Sequence, residues 1–316
     1  MMLMPPFTLH NPKTVEEACE LAGMLLEKGE EFDWVAGGTD LLPNYKWHIN
    51  TKPHVISLSK IASLQDLSEF EIGAMVRLSD LEDSELIHPL IKEAAGKVAS
   101  RLIRQNATLG GNLCVDTRCF WFNQSEEWRE SIEWCHKCDC GTGADCRVIP
   151  NQNELCVATY QGDLAPNLMV LGAIVHLFGP EGERSMPLTS FFELDGITRN
   201  VLRKGELIGK VTFPEDSRQY VGKYQKLRLR ESWDFPEAGV AAAWIPGQSE
   251  TLRVATTALE SIPRMHEEEV ASAKGDAIAI SLAIHKNVKP VNNTFFPPRY
   301  RRSMVKVLVK RALEGY

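Results

Sequence analysis

Seven of the eight cysteines in this 316-residue chain lie between Cys114 and Cys156, and only Cys19 stands outside that stretch. Thiols crowded in this way inside a reducing compartment serve metal or redox chemistry more often than disulfide formation. Six of them, Cys119, Cys135, Cys138, Cys140, Cys146 and Cys156, occupy a segment, 117–157, that is rich in Trp, Glu, Asp and Gly and shows no apolar periodicity. It is too long for an ordinary connection, so it is expected to be an insert with its own stabiliser or to be disordered. Thiolates gathered on a metal or redox centre would supply that stabiliser. Zinc is one candidate. It favours two close ligand pairs, and only Cys135-x2-Cys138 forms one. Unliganded thiols are another alternative, and a haem attachment is excluded because His136 lies between its two cysteines. Cys19 is expected to face a core from a helix, and Cys114 to pack beside a glycine loop.

Two loops could bind an anion. Gly37-Gly38-Thr39-Asp40 and Thr108-Leu109-Gly110-Gly111-Asn112 each place paired glycines next to small polar residues. Glycine permits positive φ and lets backbone N–H groups converge without Cβ atoms in the way, which suits phosphate oxygens. Two such nests could clamp a pyrophosphate from both sides, and a pair of plain tight turns is the alternative. Neither loop has the G-x-G-x-x-G spacing of a Rossmann dinucleotide fold. No nucleophile with a base and no hydrolytic carboxylate pair is evident, so no catalytic residue is assigned.

The elements that must position these groups alternate at first. Thr14 to Glu17 has capping-box spacing, and Val15, Ala18, Ala22, Leu25 and Leu26 follow at helical intervals up to Gly29. Trp34 to Ala36 reads as a strand step into the first glycine loop and Val55 to Leu58 as the next strand, so the N-terminal piece is expected to be α/β. Pro89 opens a predicted helix whose apolar stripe runs to Ile103, just before the second loop. After the turn at Gly179 to Gly182, strands are expected at 206–213, 223–229 and 239–244, and helices near 265–285 and 299–313. The last helix carries Arg299, Arg301, Arg302, Lys306, Lys310 and Arg311 and is expected to dock with its basic face in water. The expected units are 1–58, 59–179 with the insert 117–157, and 180–316.

The net charge of −7 argues against nonspecific nucleic-acid binding. No run of about 18 apolar residues suggests a membrane span, and the first residues do not read as a signal peptide, so a cytoplasmic location is expected.

Ala36-Gly37-Gly38-Thr39-Asp40-Leu41-Leu42-Pro43, Thr108-Leu109-Gly110-Gly111-Asn112 and Gly162-Asp163-Leu164-Ala165-Pro166, in that order, resemble the flavin signature of the FAD subunits of the xanthine dehydrogenase (molybdenum hydroxylase) family. The likeness continues through Lys223 to Leu227 and Ala238 to Ala241. It implies an α+β chain: a PCMH-type FAD-binding fold of two α/β subdomains, with a C-terminal α+β domain and the cysteine-rich insert. It also implies noncovalent FAD held by Ala36, Gly37, Gly38, Thr39, Asp40, Leu41, Thr108, Gly110, Gly111 and Asn112, with Asp163 and Lys226 helping to position it. Cys114 to Cys119, Asn123 to Glu126, Cys146 to Ile149 and Cys156 to Tyr160 resemble the flavin subunits of 4-hydroxybenzoyl-CoA reductases, in which this insert carries a 4Fe-4S cluster. That resemblance places the ligands on Cys119, Cys135, Cys146 and Cys156, with Cys138 or Cys140 able to replace a neighbour. The implied role is electron transfer. A ferredoxin-like donor would feed the cluster and FAD, and a partner small subunit with two 2Fe-2S clusters would lead to a molybdenum-cofactor large subunit, in a dimer of heterotrimers. There an aromatic acyl-CoA would be reductively dehydroxylated, as in aromatic compound degradation. An aromatic or heterocycle hydroxylase with outward electron flow, and a zinc-stabilised assembly subunit, are the alternatives.

Overall fold

Three sheets set the architecture of the computed structural model, which describes residues 3–137, 145–151 and 154–316. Cys138 and Cys140 lie outside the described residues. The first sheet is parallel, ordered β1-β3-β2 from Thr8–His10 (β1), Phe32–Val35 (β2) and His54–Ser57 (β3). A parallel neighbour needs a crossover, and the helix Val15–Glu27 provides it. Thr14 caps that helix by accepting from the Glu17 N–H at 3.2 Å, and Gly29, at φ 72°, follows its end. Its buried stripe of Val15, Ala18, Cys19, Ala22 and Leu25 faces the core, as its periodicity and the expectation for Cys19 require.

Glu71–Gly73 (β4), Ile174–Gly179 (β5), Gly182–Pro187 (β6) and Leu207–Thr212 (β7) form an antiparallel sheet ordered β4-β7-β5-β6. The expected boundary at 179 falls within this sheet, where β6 pairs with β5, and β7 with β4 and β5.

Val221–Leu227 (β8), Ala238–Ile245 (β9), Gln248–Thr257 (β10) and Arg264–Met265 (β11) make the third sheet, ordered β11-β10-β9-β8. β9 is buried on both faces, and the period of two separates its contacts. Ala238, Val240, Ala242 and Trp244 pack under the helices Ala277–Asn287 and Pro298–Ala312, while Ala241 and Ala243 join the core of the flavin-side units. Small alanines let the layers approach closely, and each large aliphatic side chain buried there contributes about 1.5–3 kcal/mol.

Three expectations change. The helix predicted from Pro89 to Ile103 is two, Pro89–Gly96 and Arg101–Arg104, because Ala99 takes φ 41° and Ser100 caps a new helix. The helix near 265–285 divides into Glu267–Ser272 and Ala277–Asn287 across Lys274 and Gly275, both at positive φ. In the basic C-terminal helix, Arg301 is fully buried. Its guanidinium donates to the carbonyls of Glu237 at 2.8 Å, Val291 at 3.1 Å and Ala258, so it belongs to the core and not to the solvated face.

Candidate functional site

A cavity of about 800 Å³ opens where the first two sheets meet. Ala36 through Leu41 line it, together with Thr108, Gly110, Gly111 and Asn112, so the two glycine loops come together as expected. Their contact is intimate. A Cβ on Gly37 would lie 1.8 Å from the Asn106 carbonyl oxygen, and one on Gly111 would face Ala36 at 3.7 Å.

The loops are not equivalent. Among the described residues, the N–H groups of residues 37–41 donate to no backbone or side-chain acceptor, and Gly38 turns them inward at φ 70°. They form an open nest for anionic oxygens. In the second loop the donors are already used: Leu109 N–H bonds Val76 O at 3.0 Å, Gly110 N–H bonds Ala74 O at 2.8 Å and Gly111 N–H bonds the Thr108 hydroxyl at 3.2 Å. The picture of two nests clamping from both sides is thus corrected. The first loop offers donors, and the second offers a close, side-chain-free wall. Gly110 is required by packing, since its Cβ would meet the Ala74 Cβ at 2.9 Å.

Asp163 and Lys226, expected at the cofactor, stand behind this wall and do not line the cavity. Lys226 Nζ lies 2.9 Å from Asp163 Oδ2, with both side chains at most 3% exposed, and the Tyr224 hydroxyl donates to Asp163 Oδ1 at 2.7 Å. Burial pushes the Asp163 carboxyl up and the Lys226 ammonium down, and their mutual contact opposes both shifts. The pair braces the site indirectly. Leu164 N–H, next to Asp163, donates to Asn112 Oδ1 at 3.0 Å and so fixes the second loop. Replacing Lys226 by Met would strand a buried carboxylate, and a loss of about 3–5 kcal/mol in stability is expected. Thermal melting checks this: a melting temperature equal to that of the wild type would show that the pair braces nothing.

Cys114, treated on sequence as a packing residue, also lines the cavity. Burial pushes its thiol up to about 11, so it stays protonated near neutral pH and is a poor nucleophile.

Cys119, Cys135, Cys146 and Cys156 are all buried, and Cys119, Cys135 and Cys156 share a small apolar cluster with Ile49, Phe122 and Ala158. Trp47 and Trp121 pack against that cluster, while Trp128 remains more than one-third exposed. Each sulfur faces a backbone N–H a short step along the chain: Trp121 for Cys119, Lys137 for Cys135, Ile149 for Cys146 at 3.5 Å and Ala158 for Cys156 at 3.4 Å. Burial first, then the neighbouring sulfurs Cys135, Cys156 and Cys146, push the Cys119 thiol up to about 12. Burial likewise lifts Cys156 to about 11. Such thiols ionise only when a cationic group compensates them. The buried Arg129 guanidinium and Lys137 ammonium stand beside Cys135. Among the described residues, no three His, Cys, Asp or Glu side chains converge tightly enough to hold one metal ion.

Two ion pairs join the insert to the cavity, and no local pattern in the sequence signals either. Arg118, next to Cys119, pairs with Asp40 of the first loop and stacks 4.7 Å from the centre of the cavity-lining Phe235 ring. Lys137, two residues beyond Cys135, places Nζ 2.6 Å from Asp116 Oδ1, and Asp116 lines the cavity. Burial opposes the Asp116 charge, but Lys137 and Arg199 outweigh it and hold the carboxyl below its ordinary range.

With this geometry in hand, the match of residues 5–216 to the model described as the FAD binding domain in molybdopterin dehydrogenase shows that the chain belongs to that family of oxidoreductase subunits. The aldehyde oxidoreductase FAD-binding subunit of Escherichia coli (strain K12) is 30% identical over 328 residues, covering 97% of this chain and 98% of its own. The carbon monoxide dehydrogenase medium chain of Hydrogenophaga pseudoflava is 25% identical over 336 residues, covering 99% and 98%. The fold matches the solved carbon monoxide dehydrogenases of Hydrogenophaga pseudoflava and Oligotropha carboxidovorans, with TM-scores of 0.77 and 0.78 at 24% and 22% identity, each over 99% of this chain and 98% of theirs. No helix among the described residues is long and apolar enough to cross a membrane.

Because the Cys114 thiol stays protonated, FAD is expected to be noncovalent. Acid precipitation should release the yellow chromophore into the supernatant, and a flavin that pellets with the chain would contradict this.

Proposed function

We propose that the chain is the FAD and 4Fe-4S electron-transfer subunit of a molybdenum-dependent enzyme like 4-hydroxybenzoyl-CoA reductase. The observation that supports the cluster is the gathering of four buried cysteines, each sulfur met by a backbone N–H, with the buried Arg129 and Lys137 beside Cys135. Hydrogen bonds to cluster-ligating sulfurs and exclusion of water are the levers by which a protein tunes such a centre. Cys119, Cys135, Cys146 and Cys156 are its proposed ligands. Residues 37–41 are proposed to hold the FAD pyrophosphate through their open N–H groups, with Gly111 and Ala36 shaping the gap beside it.

Bound together, the two groups would supply exchange between one-electron and two-electron carriers. Asp40, Asp116 and Arg118 link the first glycine loop to the insert between the two proposed sites. The proposed partners are a molybdenum-cofactor large subunit, a small subunit with two 2Fe-2S clusters and a ferredoxin-like donor, assembled as a dimer of heterotrimers in the cytoplasm. The "medium chain" in the relatives' names supports a multi-subunit assembly.

The insert motifs support the reductase direction, with electrons entering from the donor and an aromatic acyl-CoA losing its phenolic hydroxyl. A second reading, outward flow from an oxidised substrate, is favoured by the relatives' names, which include an aldehyde oxidoreductase and caffeine and nicotinate dehydrogenases. Rapid mixing of the assembled enzyme separates the two. Reoxidation of a donor-reduced flavin by 4-hydroxybenzoyl-CoA supports the first. Bleaching of oxidised flavin by an aldehyde or N-heterocycle, with no response to the thioester, replaces it with the second.

A further inference from the structure

Among the carboxylates that line the cavity, Glu31 and Glu206 pair with Lys52 and Arg184, and Glu30 meets His54, which leaves Asp40 and Asp116 as the carboxylates that bear on the open nest. A dinucleotide diphosphate brings two further negative charges. The two carboxylates nearest the open nest are neighbours, because the Asp116 N–H donates to Asp40 Oδ2 at 3.4 Å. Both receive a cation from the insert. Arg118 pairs with Asp40, and Lys137, whose side chain is 4% exposed, sits on Asp116 Oδ1 at 2.6 Å and on the Thr117 hydroxyl at 2.6 Å.

These cations sit close to the buried thiols. Arg118 adjoins Cys119 and pairs in a bridge with Thr159, while Lys137 follows Cys135 and packs 4.8 Å over the Phe122 ring beside the sulfurs. The apolar cluster there is small, so the thiols add to a few polar ties in ordering the described insert, such as the Arg129 guanidinium on the His48 carbonyl at 2.8 Å.

We infer that the insert completes the flavin cavity: by seating Arg118 against Asp40 and Lys137 against Asp116, it makes the cavity accept a dianionic dinucleotide, so flavin loading depends on prior assembly of the four-thiol site. This rests on the cluster reading above. Without an ordered insert, Asp40 loses Arg118 and Asp116 keeps only Arg199, at 3.3 Å, so more uncompensated negative charge faces the diphosphate and repulsion opposes binding. Linkage makes the effect reciprocal, so bound FAD strengthens retention of whatever the thiols hold.

The test uses the full-length chain, with FAD and, as a phosphate-free probe, riboflavin, both followed by fluorescence quenching. Lys137→Met should weaken FAD at least about tenfold, about 1.4 kcal/mol, and leave riboflavin unchanged. Adding Asp116→Asn to Lys137→Met removes the stranded charge and should restore FAD affinity to within about threefold of the wild type. FAD affinity at the wild-type level in Lys137→Met, or no recovery in the double variant, overturns the charge argument, and recovery also shows that the variants fold. Cys135→Ser, stripped of iron, should weaken FAD as Lys137→Met does. Unchanged FAD affinity there overturns the loading order even when the wild type holds iron. A wild type without iron sinks the cluster reading and the loading order with it, while the Lys137 and Asp116 pair still decides the charge argument.

Discussion

Gly37→Ala is expected to abolish flavin retention and to lower thermal stability at the same time. Its added Cβ would fall 1.8 Å from the Asn106 carbonyl oxygen, a backbone atom that cannot rotate away, so the two loops must part. A displacement of that kind costs about 1–3 kcal/mol in strain, and it moves the open N–H groups of residues 37–41 off their common focus. About 3 kcal/mol lost from binding is about a hundredfold in affinity. Gly111→Val is the informative contrast. Its Cβ meets only the Thr108 hydroxyl oxygen at 3.1 Å and Ala36 at 3.7 Å, so the branched side chain intrudes into the gap between the loops while the fold survives. Flavin content after gel filtration, with melting curves on the same samples, checks both. Full FAD occupancy in both variants would mean that these loops are turns and the dinucleotide lies elsewhere.

Cys119→Ser and Cys156→Ser are each expected to lose most bound iron, while Cys19→Ser, in the core beneath the helix Val15–Glu27, keeps it. Each of the two sulfurs is buried and faced by a backbone N–H, so as a ligand it would be shielded from water and hydrogen-bonded, which a serine hydroxyl does not reproduce. Because the apolar cluster around them is small, loss of the cluster should also loosen Trp47 and Trp121, which near-ultraviolet circular dichroism would register. Iron content in Cys119→Ser equal to that of Cys19→Ser would remove Cys119 from the ligand set. The same comparison with Cys138→Ser and Cys140→Ser decides whether either replaces Cys135 or Cys146.

Much of this was legible in the residues themselves because the signals were local. The capping box at Thr14, the positive-φ glycine at Gly38 and the cysteine crowding are short-range patterns, and each names its own physical cause. What stayed hidden depended on distant partners. Nothing in Thr108 to Asn112 reveals that the carbonyls of Ala74 and Val76 consume its donors, so the two loops looked alike. Asp163 and Lys226 carry the right chemistry for a ligand contact, yet they neutralise each other behind the wall. Arg301 sits in a basic run, and only the fold shows three backbone carbonyls waiting for it. The break at Ala99 went unseen because alanine favours helix everywhere except in the left-handed conformation it adopts here. Arg118 and Lys137 were overlooked for the same reason. Their partners Asp40 and Asp116 belong to the cavity, and no spacing rule pairs them.

The central claim is that one chain carries both FAD and a cubane cluster at adjoining sites. Quantifying flavin, iron, zinc and acid-labile sulfide on the full-length chain, purified without oxygen and free of partner subunits, tests it most directly. The account predicts about one FAD with about four irons and about four sulfides per chain, the complement of a single 4Fe-4S cluster. Stoichiometric zinc without sulfide, or flavin with neither metal, would contradict it.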